Sequence, residues 1–273
     1  MIEPFSAWIE RDVIHVSGPD AIDYLQGQLS QDIASLAVGA STWTLLLDPS
    51  GKISAWLRAT RVGESEVVLD GDAGSGETAL ARLQRFKLRT KVDFVLESAT
   101  PTLAVRGAPL LNRAAGLPIV WPGVEGYDQL GPSATPPNDV VEDDADAYEV
   151  ARIEAGVPAS GRDLTDATIP AEAGQWLIDA SVSFTKGCYT GQELVARIDS
   201  RGGNVPRPIR RLVIAGRDIE PGAEVTVDGK VVGRVTSVAW SDERAATVAL
   251  GPIARTVAAD ASVSVGAVDA VVR

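Results

Sequence analysis

One segment holds residue types that can do covalent or metal-sulfur chemistry: Lys186-Gly187-Cys188-Tyr189-Thr190-Gly191-Gln192-Glu193. Cys188 is the single cysteine of the 273-residue chain, and a thiolate is both a nucleophile and a soft-metal ligand. Thr190 followed three residues later by Glu193 reads as a capping box, and Leu194, Val195 and Ile198 supply the buried stripe of the helix that it opens. On that reading Cys188 lies two residues before a helix N-cap, near the positive end of the dipole and beside Lys186, and both features favour thiolate over thiol. Gly187 and Gly191 flank the cysteine and permit a tight loop and close approach of a ligand to the backbone. Cys188 and Lys186 are therefore the candidate catalytic pair. The competing reading is a structural cysteine buried beside a capped helix.

The rest of the composition narrows the chemistry. A single cysteine allows no intramolecular disulfide and no cysteine cage for zinc or an iron–sulfur cluster within one chain. The single histidine, His15, sits in the alternating run Val13-Ile14-His15-Val16 and reads as a strand residue, which leaves no base for a Ser-His-Asp triad. A net charge of −12 and a pI near 4.6 argue against general binding of nucleic acid or anionic membranes. No apolar run approaches the roughly 20 residues of a membrane span, and the acidic start Met1-Ile2-Glu3 does not read as a signal peptide, so a cytoplasmic protein is expected. The basic residues are nonetheless clustered: Arg82, Arg85, Lys87, Arg89 and Lys91 in one stretch, then Lys186, Arg197, Arg201, Arg207, Arg210 and Arg211 in another. Solvated helix and linker faces would explain each alone. As a pair they suggest a cationic wall for a small anionic ligand.

These residues need elements to position them. Residues 13–16 read as a strand. Ser17-Gly18-Pro19-Asp20 then opens a helix, with Ile22, Leu25, Leu29 and Ile33 as one apolar stripe. Strands are predicted over 41–47 and 53–62, joined by the turn Asp48-Pro49-Ser50-Gly51, and over 66–69. The glycine-rich stretch 71–76 lacks both the G-x-G-x-x-G order and the P-loop's terminal Gly-Lys-Ser/Thr, so it is read as a connector. A helix carrying Leu80, Leu83 and Phe86 and a strand over 92–96 follow. Residues 107–145 show little regular pattern, punctuated by Pro118, Pro122, Pro132, Pro136 and Pro137 and by the acidic run Glu142-Asp143-Asp144, and a helix over 147–155 stops at Gly156. Beyond Pro206 and Pro208 come short β-rich runs with an Asp228-Gly229 hairpin turn, the pattern of a small barrel. The fold class is α+β rather than a doubly wound nucleotide fold.

The eight-residue segment 186–193 resembles the K-G-C-Y-x-G-Q-E signature of the YgfZ family, folate-binding relatives of the glycine-cleavage T-protein that include mitochondrial iron–sulfur assembly factors of the Iba57 type. Other stretches agree. Ser17-Gly18-Pro19-Asp20-Ala21 and Tyr24-Leu25-Gln26-Gly27-Gln28-Leu29-Ser30-Gln31-Asp32 are similar to the family's opening, as are the turn Asp48-Pro49-Ser50-Gly51-Lys52, the run Arg152-Ile153-Glu154-Ala155-Gly156 and the run Ile169-Pro170-Ala171-Glu172. The resemblance implies a ring of two sheet-and-helix lobes plus a C-terminal all-β barrel. Residues 1–204 would form the two-lobed folate-binding region, the chain crossing between lobes near 35–50 and 110–150, and residues 205–273 the barrel. It also implies tetrahydrofolate in a central channel and a role in assembly or repair of iron–sulfur proteins, with client or assembly proteins as partners and no stable metal or cluster in the monomer.

Within that frame Arg197, Arg201, Arg85, Lys87 and Arg89 are expected to pair with folate carboxylates. Trp43, Trp56, Trp121, Trp176 and Trp240 are candidate stacking partners or core residues. The T-protein carries an aspartate just after the glycines that open its second hairpin strand. Here Ser54 or Ala55 stands there, which speaks against aminomethyl transfer by that mechanism. A folate-dependent one-carbon or aminomethyl transferase, and a folate-binding module without chemistry, remain the alternatives.

Overall fold

The computed structural model describes residues 3–109, 116–138, 140–200 and 202–273. In chain order the elements are β1 (Phe5–Ser17), α1 (Ala21–Gln28), β2 (Ser41–Leu47), β3 (Ile53–Gly63), β4 (Glu66–Asp72), α2 (Gly76–Arg85), β5 (Asp93–Arg106), β6 (Leu117–Pro118), β7 (Gly126–Leu130), β8 (Val141–Glu142) and α3 (Ala145–Glu154). Then follow α4 (Gln175–Ser181), α5 (Gln192–Asp199), β9 (Ile209–Ile214), β10 (Glu224–Val227), β11 (Lys230–Arg234), β12 (Ser237–Ser241), β13 (Ala246–Pro252), β14 (Ser262–Val265) and β15 (Val268–Val272). The architecture is α+β and mostly sheet, with a β-barrel at the C-terminal end. No helix among the described residues is long and apolar enough to cross a membrane.

The first sheet runs β2-β3-β4-β1-β5-β7-β6, with β8 parallel to β1. The long antiparallel pair β1 and β5, from Phe5 opposite Arg106 to Ser17 opposite Asp93, holds its two halves together. Strand alternation sends side chains to two separate cores. Ile14, Leu46, Leu57 and Leu69 pack with Leu25 of α1 and Leu83 of α2. Phe5, Trp43, Leu45 and Trp56 face the other way, onto Leu177 and Ile178 of α4 and Tyr189.

The second sheet runs β11-β10-β14-β15-β9-β13-β12. It closes where Gly233 bridges Ile253 and the Ala254 N–H donates to the Val232 carbonyl, which makes it a barrel. The hairpin at Asp228-Gly229 has positive φ at both residues (49° and 73°), as a tight two-residue turn requires. Arg152 ties α3 and the 159–163 loop to the barrel, since it reaches both Asp163 (3.1 Å) and the Ser237 hydroxyl (2.9 Å), and Ser237 in turn donates to Asp163.

Three local expectations change. The 17–33 stripe is not one helix: α1 stops at Gln28 and Leu29 is extended, because the Gln26 side chain accepts the Ile33 and Ala34 N–H groups (2.8 and 3.1 Å) and folds the chain back. Leu29 and Ile33 still reach the core, fully buried. The strand expected over 92–96 continues to Arg106, and short strands β6 to β8 occupy the stretch that showed no pattern. The glycine-rich connector does cradle an anion, but an internal one. The Gly74 and Gly76 N–H groups both donate to Asp12 Oδ2 (2.8 Å each), and Ala99 N–H to its Oδ1 (3.0 Å). Asp12 thus satisfies the orphan donors at the start of α2.

Candidate functional site: an anchored thiol loop and a separate cavity

The segment 183–191 is a loop pinned to the exit of α1. Ser183 N–H donates to the Ser30 carbonyl (3.0 Å) and Thr190 N–H to the Gly27 carbonyl (3.2 Å). Between them the Lys186 ammonium donates to the carbonyls of Gln26 (2.5 Å), Leu29 (2.7 Å) and Gln31 (2.9 Å). An ammonium has three protons, and all three are engaged, so Lys186 positions the loop and has no proton left for the thiol. Burial pulls its pKa down to about 8, against the opposing pull of Asp32. Its charge lies 5.3 Å from the Tyr189 ring, a buried ring whose phenol is pushed up to about 12 by desolvation.

The expected capping box does not form. Helix α5 begins at Gln192, and its N-cap is Gly191 in the left-handed region (φ 84°), with no side-chain cap bond from Thr190. Gln192 supplies the local brace instead, accepting the Tyr189 N–H (3.2 Å). The reason is steric. A Cβ at Gly191 would lie 2.6 Å from the Asp48 carbonyl oxygen, and one at Gly51 would lie 2.5 Å from Leu194 Cβ. The loop therefore docks glycine against glycine on the 48–51 turn, and that docking sets where the helix starts. Asp48 stiffens the turn by accepting from the Ser50 hydroxyl and the Lys52 N–H (2.8 and 2.9 Å); these hydrogen bonds lower its pKa although burial acts the other way. Above this base Gly187 and Cys188 are exposed, as is Phe184, and Glu193 points to solvent. An exposed Cys188 does not fit the competing reading of a structural cysteine buried beside a capped helix.

Arg85 is exposed at the end of α2, beside the Phe86 ring; Lys87 lies 3.5 Å from Asp93; Arg89 has positive φ on the following turn. Arg197 is exposed on α5. Arg201 lies outside the described residues. Arg82 is buried and donates to the Leu47 carbonyl and Gln28 (3.0 and 3.1 Å). The two stretches meet the same 47–51 turn, Arg82 through the Leu47 carbonyl and the 186–194 loop through Gly191 and Leu194. Ser54 is the odd residue of a β-bulge, skipped where Leu46 pairs Ala55 and Leu47 pairs Ile53, and Ala55 is buried in the core.

A cavity of about 690 Å³ lies elsewhere, between β1, the end of β4, α3 and the 159–162 loop. Trp8, Asp72, Tyr148, Glu149, Arg152 and Ser160 are on its wall. None of the five tryptophans singled out above lines it; Trp43, Trp56 and Trp121 are core residues and Trp240 lies under Arg217 (4.1 Å). The tryptophan that does line it, Trp8, sits in a strand whose partners come from distant sequence, so no local pattern marks it.

Behind the wall is a buried ion network. Arg58 is fully buried between Asp70 (2.8 Å) and Asp128 (2.9 Å), Arg106 lies 2.9 Å from Asp128, and Arg11 bonds Asp70 (2.6 Å). Burial alone would raise the Asp128 pKa, but Arg106, Arg58 and Arg11 hold it at about 2. Arg106 also stacks on Trp121 and Tyr148 (4.3 and 5.2 Å), which fixes the Tyr148 ring. Among the described residues no group of three or more His, Cys, Asp and Glu is placed to hold a metal ion.

Comparison with known proteins adds three kinds of likeness. The family profile of the glycine cleavage T-protein C-terminal barrel domain matches residues 207–272. The chain is 30% identical to the tRNA-modifying protein YgfZ of Vibrio vulnificus over 240 residues, covering 78% of this chain and 70% of that protein. It is 28% identical to the mitochondrial iron–sulfur cluster assembly factor IBA57 homolog of Pyricularia oryzae, covering 72% of this chain and 54% of the relative. In fold it is similar to the crystal structure of glycine cleavage system aminomethyltransferase T from Bartonella henselae, with a TM-score of 0.78 at 21% identity over 99% of this chain and 85% of that one.

Proposed function

The chain belongs to the YgfZ and IBA57 family of T-protein relatives, and from that premise we propose that it binds a reduced folate and serves as an accessory factor in the assembly or repair of iron–sulfur proteins. The observation that carries the reading is the pairing of a ligand-sized cavity with a separately anchored, exposed thiol. A cavity of about 690 Å³ falls within the roughly 300–1,000 Å³ typical of small-molecule sites. Its wall suits a pterin: Trp8 and Tyr148 offer ring faces, Asp72 offers a polar edge, and the Ser160 hydroxyl is buried without a hydrogen-bond partner. When bound, tetrahydrofolate supplies a reduced ring able to carry a one-carbon unit. The chain's own residues hold and orient it.

Cys188 does the second half of the work. Because the loop is braced by Lys186, Gly191 and Gln192, the thiol is presented to a partner protein without occupying the cavity. One thiol supplies one of the usual four cluster ligands, so its partner must bring the others. Such a factor would act in the cytoplasm, where its clients are made. The IBA57 homolog's part in iron–sulfur cluster assembly supports the iron–sulfur assignment.

The test has two parts. Tetrahydrofolate titrated into the purified chain is expected to bind, and the chain is expected to restore iron–sulfur enzyme activities to a strain lacking its own copy. Cys188→Ser should bind folate normally and fail to restore. Full rescue by Cys188→Ser would leave a folate-binding scaffold as the better account. Absence of folate binding would remove the first half.

A further inference from the structure

Asp72 ends β4 on the cavity wall, and its surroundings differ from those of the other acids there. Glu149 is already covered, with Arg152 Nη2 and Arg162 Nη1 each 2.9 Å from its Oε2. Asp72 is held from behind: its Oδ2 accepts the Ser160 N–H (2.9 Å), and Arg11 Nη1 lies 3.5 Å from its Oδ1. Arg11 is itself buried and locked to Asp70 (2.6 Å). The Asp72 side chain nonetheless keeps 32% of its surface exposed. A carboxylate has about four lone-pair positions, so two remain for a ligand. Beside it the Ser160 hydroxyl is an orphan donor on the same wall. Tyr148, its ring fixed against Arg106 and Trp121, supplies a flat apolar face.

We propose that Asp72 is the specificity-determining acceptor of this cavity, taking the amidine edge (a ring N–H and its adjacent exocyclic NH₂) of a 2-amino-4-oxo bicyclic ring, with the Ser160 hydroxyl donating to the ring carbonyl next to that edge. The assignment rests on the folate reading above and goes further by naming which end of the molecule is read and by which residue. A carboxylate braced by a buried arginine presents two coplanar oxygens at a fixed angle, and two adjacent N–H donors match them bidentately. Ligands without the exocyclic amine leave one oxygen of a partly buried carboxylate unpaired, and that penalty is the source of discrimination.

Titration of the full chain with 6-methyltetrahydropterin, which has no glutamate tail, and with tetrahydrofolate tests this. Both are expected to bind and to compete for one site. Asp72→Asn is expected to weaken both by about 10- to 100-fold, the range for a hydrogen bond to a charged group. Ser160→Ala, which removes a hydroxyl with no partner in the protein, should lower affinity about 5-fold without lowering the melting temperature. It decides the matter if Asp72→Asn fails to fold. Unchanged affinity for both ligands in Ser160→Ala and in a folded Asp72→Asn would overturn the assignment while leaving the folate reading intact. Tetrahydrofolate binding that the tail-less pterin cannot displace would also overturn it, since the tail and not the ring would then be recognised. Failure of both ligands to bind the unmodified chain would sink the folate reading, and the assignment with it.

Discussion

The thiol loop and the cavity wall are braced by different means. The loop is held by backbone: Lys186 gathers three carbonyls from the α1 exit, and glycines at 51 and 191 let two turns touch. Its thiol stands exposed. The cavity wall is held by side chains, with Asp72 and Tyr148 backed by a buried network of Arg11, Arg58, Arg106, Asp70 and Asp128. The first design tolerates changes at its tip and fails when its anchors change. The second fails when any buried ion loses its partner, because an uncompensated charge is then left in a low-dielectric interior.

The largest expected effect is therefore in the network. Asp128→Asn leaves Arg58 and Arg106 short of a counter-ion and should cost about 3–5 kcal/mol, read as the denaturant midpoint. The same group makes stability depend on acid. Its folded pKa of about 2 lies below the ordinary 3.8, so its contribution is complete above pH 4 and is lost as the pH falls towards 2. The Asn variant should lack that part of the acid transition. An acid limb unchanged in Asp128→Asn would show that the network does not brace the wall.

Gly191→Ala should follow, at about 2–3 kcal/mol, since a side chain there combines strained backbone at positive φ with a clash against the Asp48 carbonyl. Thermal melts and hydrogen exchange over 183–199 measure it. If Gly191→Ala melts like the parent chain, the docking of the loop on the 48–51 turn is looser than the glycine pair implies.

The same contrast explains what could be read from the sequence. The loop was legible because its determinants are consecutive: the 186–193 run names the thiol, the lysine and both glycines. Its mechanics were not, because the carbonyls that capture Lys186 belong to residues about 155 to 160 positions earlier. Lysine beside cysteine suggested an activating charge, and only the fold shows where the charge goes. The helix start was misplaced by one residue for a related reason: Thr190 has the right chemistry for a cap, but the glycine contact, which is tertiary, sets the boundary. The cavity left no local trace. Trp8, Asp72, Tyr148 and Ser160 carry no common spacing, and they meet only because β1 pairs with β4 and β5 while α3 packs across β1. The barrel, with short β-rich runs and a turn such as Asp228-Gly229, was legible almost throughout.

Lys186→Met should cost less than either change above, about 1–2 kcal/mol, because the carbonyls it abandons are partly reachable by water. Its pH signature separates it from a simple packing defect. The folded pKa of about 8 lies below the ordinary 10.5, so the unfolded chain binds more protons between those values and stability rises with pH across that window. The gap in melting temperature between the parent chain and Lys186→Met should thus change between pH 8 and 10.5 and be flat below pH 7. A gap that is constant over the whole range would mean that the ammonium is as well solvated in the folded loop as in water. Folate affinity should not move in this variant, because the loop and the cavity share no wall residue.

Cys188→Ser is expected to do least to the protein and most to its proposed task. The thiol is exposed, makes no hydrogen bond that braces the loop, and lies outside the cavity wall. Replacing sulfur by oxygen at such a position should change stability by less than about 0.5 kcal/mol. Lys186, Gly191 and Gln192 would hold the loop as before, so exchange protection over 183–199 and affinity for tetrahydrofolate should match the parent chain. What is lost is the soft, polarizable ligand or nucleophile, which a hydroxyl with a far higher pKa cannot replace at neutral pH. A variant that melts, exchanges and binds like the parent chain yet fails to restore iron–sulfur enzymes isolates the thiol as the working atom. A Cys188→Ser protein that melts several degrees lower would instead place the sulfur among the loop's anchors and erase the division between a scaffold that braces and a tip that acts.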